Sequence, residues 1–179
     1  MRFLLFILIL VTGCVENSSG TGYHPSFTVL ANELGHRVLW QLMREKKLYA
    51  VEYGGIGGRT KPTKLLHCSF FYYKEVDIGE ARELLMTAGN LLLKTLNANE
   101  KIRPCFANFP LTPKNIQVHI FLKNSDGSEL GPEKLHVLSF TDGKLEYEII
   151  SSETHRLVTI LVETYEEADA KLAAAVARL

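Results

Sequence analysis

The chain has 179 residues, 46% hydrophobic and 22% charged, enough for one ordinary globular domain and unlike a disordered or multispan membrane protein. Its 20 basic and 20 acidic side chains cancel, and without a leader carrying only Arg2 the balance is 19 against 20, a net of −1. That neutrality offers no electrostatic footprint for nucleic acid.

Met1-Arg2 is followed by an unbroken apolar run, Phe3 to Val11, and then by Thr12-Gly13-Cys14. A spanning helix needs roughly 20 apolar residues and this run is about half of that, so the pattern predicts an export leader rather than a permanent anchor. Val15 to Gly22 is small, polar and glycine-rich, a flexible tether with a reach of roughly 15 Å. The organisation expected is a signal peptide over 1–13, a tether over 14–24 and one globular domain over 25–179.

Within the domain, Phe27, Leu30, Leu34, Val38 and Leu42 recur at spacings of three and four, which predicts a helix from about Ser26 to Lys47. Gly35 inside it implies close packing against a neighbour. A strand over Leu48–Tyr53 is broken by Gly54 to Pro62, and a second strand runs from about Lys64 to Glu75. Asp77 with Glu80 starts a second helix whose apolar face is Ala81, Leu84, Leu85, Ala88, Leu91, Leu92 and Leu96. Glu100 to Asn115 carries Pro104, Pro110 and Pro113, a rigid connection pinned by Phe106 and Phe109.

The period then changes to two. Ile116, Val118, Ile120 and Leu122 alternate with Gln117, His119, Phe121 and Lys123, and further strands follow over 135–140, 144–150 and 157–162. Asp142-Gly143 marks a hairpin, and Thr164 with Glu167 caps a final helix. The class expected is α+β: a mainly antiparallel sheet of about six strands with three helices, in the order α-β-β-α-β-β-β-β-α, the strands in a meander with helices over its apolar face.

Candidate sites are few. Gly54 to Lys61 with Arg59, Lys61 and Lys64 reads either as a hairpin loop or as a contact for an anion or lipid headgroup; its spacing is neither the dinucleotide fingerprint nor the P-loop. Cys68 and Cys105 either form a disulfide or stand as two separate buried cysteines. His67, His119 and His136 are placed to share a sheet face, but no histidine has metal-like neighbours, so no metal is expected. Phe70, Phe71, Tyr72 and Tyr73 divide between two faces of one strand, one entering the core and the other covered by a helix of the same chain or by a partner, with the helix favoured. No Gly-x-Ser-x-Gly elbow or local Cys-His-acid motif marks a catalytic residue.

Val11-Thr12-Gly13-Cys14 resembles the bacterial lipobox: an aliphatic residue, a small one, glycine, then cysteine, directly after the apolar leader. The resemblance implies cleavage before Cys14, a diacylglyceryl thioether on its thiol and an acyl chain of the palmitate kind on its amine. Two or three such chains hold a protein durably at a membrane. Val15 rather than aspartate after the cysteine is similar to lipoproteins sorted to the outer membrane of bacteria that have two. Asn99-Glu100-Lys101-Ile102-Arg103-Pro104 and Asn108 to Asn115 loosely resemble an uncharacterised family of small proteins from chlamydia-like and other host-associated bacteria, a resemblance that brings no activity with it.

The expectation is a lipid-anchored cell-envelope protein that binds or scaffolds a partner, in the envelope or on a host, with no cofactor beyond the covalent lipid on Cys14. The alternative is a lipid-anchored, hydrolase-like enzyme whose active site is assembled from distant segments.

Overall fold

A computed structural model describes residues 25–56 and 62–177. Cys14 and the tether, together with Arg59 and Lys61, lie outside the described residues. Three helices and six strands follow the expected order: α1 (Pro25–Lys46), β1 (Tyr49–Ile56), β2 (Leu65–Tyr72), α2 (Ile78–Asn97), β3 (Ile116–Leu122), β4 (Leu135–Thr141), β5 (Lys144–Ile150), β6 (Leu157–Thr164) and α3 (Tyr165–Val176). No helix among the described residues is long and apolar enough to cross a membrane.

The strands form one α+β sheet in chain order, but the sheet is mixed. Four pairings are antiparallel and β2–β3 is parallel, which corrects the simple meander. Antiparallel β4 and β5 are joined by a two-residue turn, whereas α2 and two 3-10 turns, Glu100–Cys105 and Pro113–Asn115, separate β2 from β3. A crossover of that length returns the chain to the end of the sheet where β2 began.

Local chemistry sets the boundaries. Asp77 accepts from the Glu80 amide at 2.8 Å and starts α2. Thr164 and Glu167 cap each other at the start of α3, Thr164 N donating to Glu167 Oε2 at 2.8 Å and Glu167 N to Thr164 Oγ1 at 3.2 Å. Asp142 and Gly143, with φ of 51° and 73°, make the turn between β4 and β5 that the Asp-Gly pair announces. Asn97 clamps the proline-containing connection: its amide donates to Leu111 O at 2.8 Å and its carbonyl accepts from Leu111 N at 2.7 Å.

The helices all pack on one face. Leu66, Cys68 and Phe70 of β2, Ile116, Val118, Ile120 and Leu122 of β3, Leu138 and Phe140 of β4, and Leu145 and Tyr147 of β5 are buried there with Leu85, Leu92 and Leu96 of α2. Gly35 permits a close approach of α1, since a Cβ there would sit 2.0 Å from the Tyr53 hydroxyl. At Gly89 a Cβ would meet the Phe140 ring at 2.5 Å.

No described helix covers the opposite face. The expectation that a helix of this chain shields the second set of β2 aromatics is therefore corrected: Phe70 is fully buried, whereas Phe71 lies half-buried on the open side. The physical reason is that α1, α2 and α3 share one apolar layer. α2 contacts α1, α3 and the central strands together, so no helix remains for the other side.

Cys68 carries a free thiol, fully buried in β2, so it is not bridged to Cys105. The backbone shows why. Cys105 O accepts from Thr63 N at 2.8 Å, which places Cys105 beside Thr63, five positions before Cys68. At about 3.3 Å per residue the strand carries Cys68 roughly 16 Å away, beyond the roughly 7 Å a disulfide spans.

Candidate functional site

The open face is ordered in cross-strand rows. Glu52, Ser69, His119, Ser139, Glu146 and Val162 stand opposite one another across all six strands. On one side of this row lie Gly54, His67, Gln117, Thr141 and Lys144; on the other lie Tyr49, Phe71, Phe121, Val137 and Glu148. Because side chains alternate along a strand, each row is the i±2 neighbour of the next.

Hydrogen bonds link the Ser69 and His119 row to the His67 and Gln117 row beside it. Gln117 Nε2 lies 2.9 Å from His119 Nε2, and His119 Nδ1 lies 2.9 Å from Ser139 Oγ. An amide nitrogen only donates, so His119 Nε2 accepts and the ring proton sits on Nδ1, which donates to Ser139. Burial, and then the neighbouring His67, hold His119 below the usual histidine range, against an opposing pull from Glu146. On the adjacent strand, His67 Nε2 lies 3.2 Å from Glu52 Oε2 and 3.0 Å from Ser69 Oγ. A carboxylate only accepts, so Nε2 is the protonated nitrogen and its proton is shared between Glu52 and Ser69.

Neither Ser–His pair is arranged for nucleophilic attack. A general base needs an unprotonated nitrogen facing the serine and a carboxylate on its other nitrogen. His119 turns N–H toward Ser139 and an amide toward the far side, and His67 spends one nitrogen on both partners. Ser69 and Ser139 are themselves buried, and their strands' amides belong to the sheet ladder.

Beside the polar row the face is aromatic. The rings of Phe71 and Phe121 lie 6.0 Å apart, Tyr49 and Tyr73 5.4 Å apart, and His67 and His119 5.5 Å apart. Lys123 Nζ sits 5.7 Å from the Phe71 centroid. Among these side chains is a shallow hollow of about 410 Å³ with Val51, Phe121, Val137 and Leu157 as apolar wall and Glu52 and Glu148 among its acidic lining. His67, Ser69, His119 and Ser139 of the central strands line it too, between Glu52 on β1 and Glu148 on β5.

His67 and His119 share this face as expected, but His136 does not. It has the parity of Leu138 and Phe140 rather than of Val137 and Ser139, and it is buried, with Nε2 3.1 Å from Gly131 O. Among the described residues no three His, Cys, Asp or Glu side chains converge to hold a metal ion. Of the candidate anion contacts, Lys64 is exposed just before β2; Gly54 to Ile56 belong to β1, which corrects the expected break at Gly54, and the next element is the antiparallel strand β2 rather than a helix.

On the helix side, Glu163 of β6 is the most enclosed acid among the described residues, 2% exposed. Arg82 of α2 donates to both its oxygens at 2.6 and 3.2 Å, Lys171 of α3 donates at 2.6 Å and Tyr147 of β5 at 2.5 Å. Burial alone would raise this carboxyl, but the donors outweigh it and hold it below the usual range. The group ties four elements together and has no open approach.

Sequence reading places Gln117, His119 and Phe121 on one face of β3, and the alternation His67, Ser69, Phe71 carries the same signal on β2. Glu52, Ser139 and Glu146 carry none, since only the register brings them into the row. Compared with protein-family models, curated proteins and solved structures, the chain matches none of them.

Proposed function

We propose that the chain is a lipid-anchored protein of the cell envelope whose open sheet face binds a protein partner, and that it acts by binding or scaffolding rather than by chemistry of its own. The observation that carries the binding reading is the face itself: half-buried Phe71 and Phe121, with Val51 53% exposed, laid beside the hydrogen-bonded His67 and His119 and uncovered by any described helix. Its chemistry favours a partner that brings apolar side chains to Phe121 and Val137 and basic groups to Glu52 and Glu148. The anchor rests on the lipobox resemblance of Val11 to Cys14, which locates the domain within reach of a membrane surface, the outer membrane where there are two. The Ser–His geometry gives the hydrolase alternative no support.

Two measurements test this. Intact mass of the membrane-extracted protein is expected to show a chain beginning at Cys14 with added diacylglycerol, and Cys14→Ala to lose it; an unmodified chain beginning elsewhere sinks the anchor. A photo-crosslinking residue at Val51 in intact cells is expected to yield an adduct of discrete mass, while one at exposed Lys94 of α2 yields none. Equal yields at both positions, or none at Val51, refute the binding face.

A further inference from the structure

We propose that the open face is gated by pH: proton uptake by the neighbouring His67 and His119 rings cancels the negative charge of the face and releases a partner bound there. The inference rests on the binding reading of that face and adds its regulation. The two imidazoles stand on adjacent strands, β2 and β3, with ring centroids 5.5 Å apart, and both line the hollow. His119 makes its two hydrogen bonds as a neutral ring, Nε2 accepting from Gln117 and Nδ1 donating to Ser139, each at 2.9 Å. A second proton on Nε2 meets the Gln117 amide donor to donor, so protonation forces that side chain to turn. His67 donates from Nε2 toward Glu52 and Ser69. Once charged, it competes with a partner's basic group for the Glu52 carboxylate.

The charges around the pair decide what its titration does. To this face β1 brings Glu52, β5 brings Lys144, Glu146 and Glu148, and β3 brings Lys123, which is ion-paired with Glu129. β4 brings Val137, Ser139 and Thr141, β6 brings Leu157 and Val162, and Tyr49 and Tyr73 add phenols at the aromatic end. With Lys123 matched by Glu129, three carboxylates stand against one lysine, a net of −2, and two imidazolium charges bring that to zero. Burial, and then His67, hold His119 below the usual histidine range, so the face is negative at neutral pH and loses that charge under acid. A partner laid over the rings desolvates them further and opposes their protonation in the complex. By linkage, its affinity falls as pH drops below the ordinary histidine value of 6.5.

The test places a photo-crosslinking residue at Val51 of the full-length chain in gently permeabilised cells and follows the adduct of discrete mass at about pH 7.5 and about pH 5.5, with circular dichroism of the purified chain reporting the fold at both. Adduct yield is expected to fall by about fivefold or more at the lower pH and to recover on return. His67→Gln combined with His119→Gln should hold the neutral-pH yield at both values, while His36→Gln, exposed on α1, keeps the dependence. In the purified chain the NMR titration of His119 should have its midpoint below 6.5 and move upward in His67→Gln. An adduct equally strong at both pH values, a double variant that loses it at either, a His119 midpoint that ignores His67→Gln, or loss of the fold at the lower pH overturns the gate and leaves the binding face standing. No adduct from the unsubstituted pair at either pH overturns the binding face and the gate together.

Discussion

On β2, Phe70 is sealed among the helices while its neighbour Phe71 lies half-buried on the uncovered side, and the same division repeats across the sheet. On the helix side the contacts are dense, close and largely apolar, with a single charged cluster at Glu163. On the open side, histidine, serine and glutamate form a hydrogen-bonded row next to a strip of aromatic rings. A fold needs one buried face; a second face carrying half-exposed rings in register is the one on which the proposed partner would dock.

The contrast breaks most sharply at the phenylalanines. Phe70→Ala should cost about 3–5 kcal/mol in urea unfolding, through lost burial and the cavity left behind, while Phe71→Ala should cost about 1 kcal/mol. Arg82→Ala is next: Glu163 keeps Lys171 and Tyr147 but loses its bidentate partner, and about 2–3 kcal/mol should go with it. Because Glu163 is held below its ordinary value of 4.5, its contribution is full above that value and drains as pH falls through it. Arg82→Ala should therefore flatten the acid limb of a pH-dependent unfolding series. Gly89→Ala, forcing a methyl onto the Phe140 ring, should cost about 1–3 kcal/mol.

The smallest effect is on the open side. His119 is held below its ordinary 6.5, so the native state favours the neutral ring and the unfolded chain binds the proton first. Stability should fall as pH drops below that value, and His119→Gln should remove this shallow slope. A slope that survives the substitution assigns it elsewhere.

Much of this division was legible in the chain. The strict alternation from Ile116 to Leu122 fixes which side of β3 is buried, and Asp77, Asp142-Gly143 and Thr164 mark boundaries through local hydrogen bonds and turn geometry. What alternation does not encode is strand direction or partner, so the parallel β2–β3 pairing was invisible. The same holds for the row from Glu52 to Glu146, assembled from five strands by register alone. His136 was misplaced because its face follows from the parity of β4: it has the parity of buried Leu138 and Phe140, not of Ser139 and Val137. The missing cover over Phe71 depends on all three helices choosing one layer, a decision made by tertiary packing.

The most direct test of a face kept for a partner uses the unaltered chain. Hydroxyl-radical footprinting, read by mass spectrometry, would compare the purified protein with the protein in intact cells at Tyr49, Tyr73 and Phe121 on the open side and at Trp40, 67% exposed on α1, as internal reference. Oxidation of the three open-face rings is expected to drop several-fold in cells while Trp40 is unchanged. Equal oxidation of those rings in both settings would contradict the account.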